Sequence, residues 1–301
     1  MTRAYTTLIT ASELAALQAS GAEPVVIDTS FDLADTGAGE RRFATSHLPG
    51  SRYLHLDRDL SGPKDGRNGR HPLPDRAAFA RTVGALGVGP ATQVVCLDAQ
   101  GGVYAARLWW MLRWLGHEAV AVLDGGIQAW QRAGGALVGD AAGESAGESA
   151  GGNEGHGGRA TAAVAVPYPD RPSLAPSIDA VGVAGRGPRV AVLDARSGER
   201  FRGEAEPIDP VAGHMPGALN RFHRHNLAEG GGFKPPAVLR DEFAALLADR
   251  APAEVIHSCG SGVTACHNLL AMEHAGLAGS LLYPGSWSEW SADPERAVAR
   301  G

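Results

Sequence analysis

Short apolar runs that end on a polar residue recur along the chain, and each leads into a polar loop or a helical pattern. Residues 10–17 predict a capped helix, with Thr10 or Ser12 as N-cap and Leu14 and Leu17 on one face. Pro24-Val-Val-Ile-Asp28 reads as a buried strand, and Val94-Val-Cys-Leu-Asp98 as a second. The spacing of Leu108, Met111, Leu112 and Leu115 predicts a helix over 105–115. Ala119-Val-Ala-Val-Leu-Asp124 is a further strand, running into Gly125-Gly126 with Trp130 beyond. Further on, Arg189-Val-Ala-Val-Leu-Asp194 repeats the strand pattern. Val255-Ile256 then meets a turn of Cys259, Gly260, Ser261 and Gly262, followed by helical spacing of Ala265, Leu269, Leu270 and Met272.

The second half echoes the first. Asp28 and Asp194 end equivalent strands 166 residues apart; His47-Leu-Pro-Gly50 and His214-Met-Pro-Gly217 lie 167 apart; Trp130 and Trp290 lie 160 apart. A near-constant shift over three landmarks is a domain duplication. Alternating strands and helices place each half in the α/β class, as a mostly parallel sheet with helices on both faces. The predicted boundaries are 1–138, a linker at 139–175, and 176–301. Within that linker, residues 139–158 are rich in Gly, Ser and Glu and have no apolar face, so they predict a flexible tether. Residues 167–176 predict its extended continuation.

The chain has 301 residues, 44% of them hydrophobic and 20% charged, with a net charge of −6. That describes an ordinary globular protein with no basic footprint for nucleic acid. Three cysteines make no disulfide framework and point to a reducing, cytoplasmic setting. No apolar segment follows the first residues as a signal peptide requires, and no apolar run reaches a membrane-spanning 18 residues.

The junction at Cys259 carries the chemistry. Gly260 and Gly262 let the backbone curl so that successive N–H groups face inward, and the following helix adds its positive end. Such a cradle binds an anion. With Cys259 at its centre, the anion is the cysteine's own thiolate, because a helix N-terminus lowers a thiol pKa from about 8.5 to roughly 3.5–7.5. The alternative is a cysteine that only fills a gap in the core. Cys96, inside an apolar strand, fits that description better. Cys266, two turns into the helix, is expected to be packed too, with a regulatory disulfide as the lesser alternative. A cysteine phosphatase needs an arginine six positions after its nucleophile, and Ala265 stands there.

Cys-Gly-Ser-Gly-Val-Thr at 259–264 resembles the active-site loop of 3-mercaptopyruvate sulfurtransferases, and the duplicated pattern resembles the two-domain rhodanese-like sulfurtransferases over nearly the whole chain. The resemblance implies a fold of two tandem rhodanese-like domains. It also implies a persulfide on Cys259, held by Gly260, Gly262, Val263 and Thr264. Arg200, in Gly-Glu-Arg-Phe-Arg-Gly, matches the family's substrate-binding arginine, while Glu199 replaces the usual small residue before it. The other reading of Arg200 is an ion pair with Glu199 or Glu204, and Arg196 is expected to brace the loop. Ser261, His71 and Asp57 match the family's proton relay, although Asp59 and Asp65 compete with Asp57 on sequence alone. Tyr104 matches an aromatic residue near the substrate. His47 and His214 recur in both halves and are expected to brace turns.

One departure is clear. Ile208 follows Glu206-Pro207, where mercaptopyruvate enzymes often carry a second arginine, and this leaves 3-mercaptopyruvate and thiosulfate both open as donors. The implied acceptor is cyanide, a small thiol or a thioredoxin-like protein, with no metal and no cofactor. A second class of function is a persulfide carrier or regulatory module with little turnover of its own. The position equivalent to Cys259 in the first half is Asp98, which cannot carry sulfur. The first domain is therefore expected to be a non-catalytic wall of the site.

Overall fold

Two parallel sheets carry the chain, one in each half of the sequence. The computed structural model describes residues 4–139 and 166–301; almost all of the low-complexity tether lies outside the described residues. The first sheet holds β1 (Leu8–Ile9), β2 (Val25–Asp28), β3 (Arg52–Tyr53), β4 (Val94–Leu97) and β5 (Val120–Leu123), in the order β1-β5-β4-β2-β3. The second holds β6 (Ala191–Asp194), β7 (Leu219–Asn220), β8 (Val255–Ser258) and β9 (Leu281–Leu282), in the order β7-β6-β8-β9. Every pairing within the sheets is parallel. All residues of β4, β5, β6 and β8 are buried, as strands covered on both faces must be. The helices of the first half are α1 (Ala11–Ala19), α2 (Ala38–Thr45), α3 (Arg76–Ala85), α4 (Ala105–Trp114) and α5 (Gly126–Arg132). Those of the second are α6 (Ala180–Ala184), α7 (Gly198–Arg202), α8 (Pro236–Leu247), α9 (Thr264–His274) and α10 (Ser286–Trp290).

The duplication extends to individual hydrogen bonds. His47 Nδ1 bonds the carbonyl of Phe43 and His214 Nδ1 that of Phe201, both at 2.7 Å. Each imidazole also stacks on the phenyl ring of the residue it bonds. Trp130 and Trp290 donate to Ala136 and Ala297 at 2.9 and 3.0 Å. The histidines thus brace matching turns, as expected. In the second half, an isolated parallel bridge between Ser177 and Leu282 stands where β1 pairs with β5 in the first.

The halves meet through α4 and α9, the helices that follow the two equivalent loops. Leu108, Trp109 and Leu112 join Leu269, Leu270 and Met272 in one apolar cluster. Each such side chain stabilises the union by about 1.5–3 kcal/mol when fully buried. Arg113 and Glu273 add an ion pair at 3.0 Å across the same contact. The site between the two loops is therefore framed by continuous core. From residue 166 onward, the expected linker is a strap packed on the first domain: the Tyr168 and Leu174 amides donate to Ala80 and Arg113, each at 2.9 Å, and Tyr168 is buried.

The loop after β4 shows what this junction binds. The Asp98 carboxylate is buried and accepts four backbone N–H bonds. Gln100 and Gly102 donate to one oxygen at 2.8 Å, while Tyr104 and Ala105 donate to the other at 2.7 and 2.9 Å. Burial raises this carboxyl's pKa, and the four donors offset only part of that rise. All four contacts are donors, which suits the ionised form. The first half thus fills its own cradle with its own anion.

Burial also holds His257 and His267 neutral, with pKa values down to about 3. An unfolded histidine titrates near 6.5, so below that pH the unfolded chain binds protons that the folded chain does not. Stability is therefore fully present above about pH 6.5 and falls as pH drops toward 3, by up to about 1.4 kcal/mol per pH unit for each histidine. Urea unfolding at pH 7 and pH 5 should show the lower stability at pH 5; equal stability at the two values contradicts this reading.

Candidate active site

Cys259 leaves β8 and enters a loop clamped from one side. The Cys259 N–H donates to Ser286 Oγ at 3.0 Å. The Cys259 and Gly260 carbonyls accept from Trp287 and Ser288 at 3.0 and 2.9 Å. Ser286 takes a left-handed φ of 52° to make this turn, a strained conformation for a non-glycine residue. Gly262 has a φ of 77°, and a Cβ there would lie 2.2 Å from the Pro284 carbonyl oxygen. With the carbonyls of Cys259 and Gly260 taken up by α10, the N–H groups of residues 260–265 have no acceptor among the described residues. They lie at the N-terminus of α9, where the helix dipole favours negative charge.

Cys259 lies on the wall of a cavity of about 1060 Å³ between the halves. Gly260, Ser261, Val263 and Thr264 line it, and Tyr104, Gln100 and Gly101 form part of the first-half wall. Gly262 is not among the lining residues; its part is conformational. Cys259 is only 2% exposed. Burial pushes the Cys96 thiol well above its ordinary range and the Cys266 thiol up to about 12. The Cys266 S–H donates to the Gly262 carbonyl at 3.3 Å.

His71 Nδ1 is hydrogen-bonded to Ser261 Oγ at 2.7 Å, and its Nε2 lies 3.5 Å from an Asp57 oxygen. Of the three candidate aspartates, only Asp57 meets His71. Asp59 accepts from the His55 N–H, and Asp65 from the Arg67 and Asn68 amides. Burial lowers the His71 pKa to about 3, against the pull of Asp57 and with a further push from Arg107. The imidazole is thus neutral and able to pass a proton between its two nitrogens.

Arg200 pairs with Glu206 at 2.6 Å and Asp209 at 3.1 Å, rather than with Glu199 or Glu204. Both partners are buried acids with shifted pKa values: burial raises Asp209, whereas hydrogen bonds, chiefly from Arg200, hold Glu206 below its usual range despite burial. Arg196 chelates Asp194, donates to the Gly213 carbonyl at 2.8 Å and lies over the Trp287 ring, so it braces the loop. Arg202 pairs with Glu204 at the surface.

Sequence reasoning missed Arg107. Its side chain is wholly buried and donates to the carbonyls of His71, Gly262 and Leu60 at 3.1, 3.3 and 3.4 Å. It thereby ties His71 to the cysteine loop across the domain boundary. The signal was present: a charged residue one position before Leu108 and four before Met111 sits on the apolar face of its helix.

A family model described as the rhodanese-like domain matches residues 10–133 and again 183–293. The chain belongs to the rhodanese-like family. A Pseudomonas aeruginosa protein named a probable 3-mercaptopyruvate sulfurtransferase is 44% identical over 98% of both chains. The thiosulfate sulfurtransferase of Cricetulus griseus is 32% identical over 92% of this chain and 88% of its own. Among solved structures, the 3-mercaptopyruvate sulfurtransferase from Leishmania major superposes with a TM-score of 0.76 at 28% identity, over 95% of this chain and 74% of that one. This rhodanese-like chain therefore has sulfurtransferases as its relatives, with both donor names among them.

The Gly262 geometry gives a test of the clamp. Gly262→Ala should lower the unfolding free energy by at least about 1–2 kcal/mol, from the left-handed backbone alone. Urea denaturation measures it, and unchanged stability contradicts the clamp.

Proposed function

We propose that the protein is a sulfurtransferase that moves a sulfane sulfur from 3-mercaptopyruvate or thiosulfate to a thiol or cyanide, through a persulfide on Cys259. The observation that carries this reading is the row of acceptor-free amides from Gly260 to Ala265 beside the cysteine. No hydrogen bond reaches the resting Cys259 sulfur among the described residues. A second sulfur attached to it, about 2.05 Å further out, would be an anion of the kind such amides stabilise, which supports this reading.

The Cys259 thiolate attacks the terminal sulfur of the donor. With thiosulfate, the S–S bond breaks, sulfite departs with the bonding pair, and a persulfide anion remains. With 3-mercaptopyruvate, the C–S bond breaks and the pair goes to carbon. The thiol proton must then reach that carbon to give pyruvate. Ser261, His71 and Asp57 form the chain of groups suited to take it up and return it. Arg200 neutralises the donor's charge, Tyr104 packs against the donor, and the amides of Gly260, Gly262, Val263 and Thr264 hold the new anion. Cyanide or a thiolate then attacks the outer sulfur and regenerates the Cys259 thiolate. The natural acceptor in this reading is a small thiol or a thioredoxin-like protein in the cytoplasm. No helix among the described residues is long and apolar enough to cross a membrane.

Cys259→Ser should abolish turnover with both donors, and intact-protein mass spectrometry after donor treatment should show one added sulfur on the wild type only. Retained activity in Cys259→Ser contradicts the reading. Slow cyanide turnover combined with fast transfer to one partner protein indicates the carrier role instead. The relay predicts a contrast between donors. His71→Ala should lower kcat/KM for 3-mercaptopyruvate by about 10²–10⁴ and leave thiosulfate, which has no proton to relay, much less affected. Equal losses with the two donors contradict the relay.

A further inference from the structure

We propose that Arg70, a residue of the first domain, is a donor-binding residue that grips the anionic head group of the sulfur donor jointly with Arg200. The inference rests on the sulfurtransferase reading above and adds to it a second cation, brought across the domain boundary.

One carboxylate holds the two guanidiniums side by side. Asp209 takes Arg70 Nη1 on one oxygen and Arg200 Nη2 on the other. Glu206 occupies a second edge of Arg200, through Nε and Nη2. These contacts leave Arg70 Nη2 and Arg200 Nη1 with no acceptor among the described residues. The two free nitrogens converge: a Cβ placed on Gly260 would lie 2.7 Å from Arg70 Nη2 and 3.7 Å from Arg200 Nη1. Gly260 directly follows the nucleophile, so the absence of its side chain leaves room for a guanidinium over the cysteine loop. Both arginines line the cavity with Cys259.

Arg70 is held there by its backbone as well. Its N–H donates to Ser288 Oγ at 3.0 Å. Gly69, with a φ of 84°, packs so closely that a Cβ would stand 2.8 Å from the Gly285 carbonyl oxygen. On its other side His71 is bonded to Ser261. The guanidinium is thus positioned before any ligand arrives, which limits the ordering entropy of binding. Two fork-shaped donors side by side suit a head group with several oxygens, either the carboxylate of a 2-oxo acid or the sulfonate end of thiosulfate. Among the described residues of the 195–210 loop there is no such cation beside Arg200: Ile208 lines the cavity there, Arg196 is committed to Asp194 and Glu206, and Arg202 pairs with Glu204.

The test separates the two half-reactions. In a ping-pong cycle, kcat/KM for the donor reports loading of Cys259 and kcat/KM for cyanide reports unloading. Arg70→Ala should lower donor kcat/KM by about 10- to 100-fold, the loss of a charge-assisted grip, and leave cyanide kcat/KM unchanged. Arg70→Lys, which keeps the pair with Asp209, should fall in between, and it covers the case in which the alanine variant folds poorly. Arg70→Ala/Ile208→Arg should regain part of the donor kcat/KM, because position 208 faces the same cavity. Assays with 3-mercaptopyruvate and thiosulfate in parallel identify the head group concerned, and a selective loss with either donor supports the proposal. Unchanged donor kcat/KM with both donors in Arg70→Ala overturns it. So does an equal fall in donor and cyanide kcat/KM, which marks Arg70 as merely a domain contact. A wild-type protein that gains no sulfur from either donor overturns the underlying sulfurtransferase reading, which is a separate result.

Discussion

Backbone N–H groups inside a folded protein must find an acceptor, and leaving one buried and unmade costs about 1–3 kcal/mol. The junction between a parallel strand and its helix presents a row of them. This chain answers that requirement twice, in different ways. After β4, Asp98 folds its own carboxylate back onto four amides and closes the matter. After β8, the residue in that place is Cys259, whose sulfur accepts no hydrogen bond among the described residues; the amides of residues 260–265 have no acceptor there either, and Gly260, Ser261, Val263 and Thr264 line the cavity. In one half the demand is met from within the chain. In the other, the amides beside Cys259 have no acceptor among the described residues.

The remaining architecture maintains that difference. The α10 turn takes up the carbonyls of Cys259 and Gly260 through the Trp287 and Ser288 N–H groups. The packing of α4 on α9 brings the satisfied loop opposite the unsatisfied one, so residues of both domains line one cavity. Residues from that wall reach over: His71 meets Ser261, and Arg107 pins the Gly262 carbonyl. An open α/β sheet places ligands at the carboxyl ends of its strands. Here two such ends face each other, and the cavity belongs to both.

Much of this was legible in the sequence because it is local. The strands, the loop glycines, the helix after Cys259 and the paired landmarks of the duplication depend on residues within a few positions of one another. What depends on long-range packing was not legible. Asp57, Asp59 and Asp65 look alike in the sequence, and only the fold brings one of them to His71. Glu199 and Glu204 are the acids nearest Arg200 in the sequence, but the turn at Pro207 brings Glu206 and Asp209 to it instead. Arg70 stands next to a residue singled out for catalysis, yet nothing local says that its guanidinium crosses a domain boundary to reach Gly260. The segment from 166 read as a free linker because it lacks periodicity, although Tyr168 is an anchor.

The most direct test of the central claim is a crystal structure of the thiosulfate-loaded protein. The account predicts a second sulfur bonded to Cys259 Sγ and lying within hydrogen-bonding distance of several amides between Gly260 and Ala265. A loaded sulfur that lies away from those amides, or is found on Cys96 or Cys266, contradicts it.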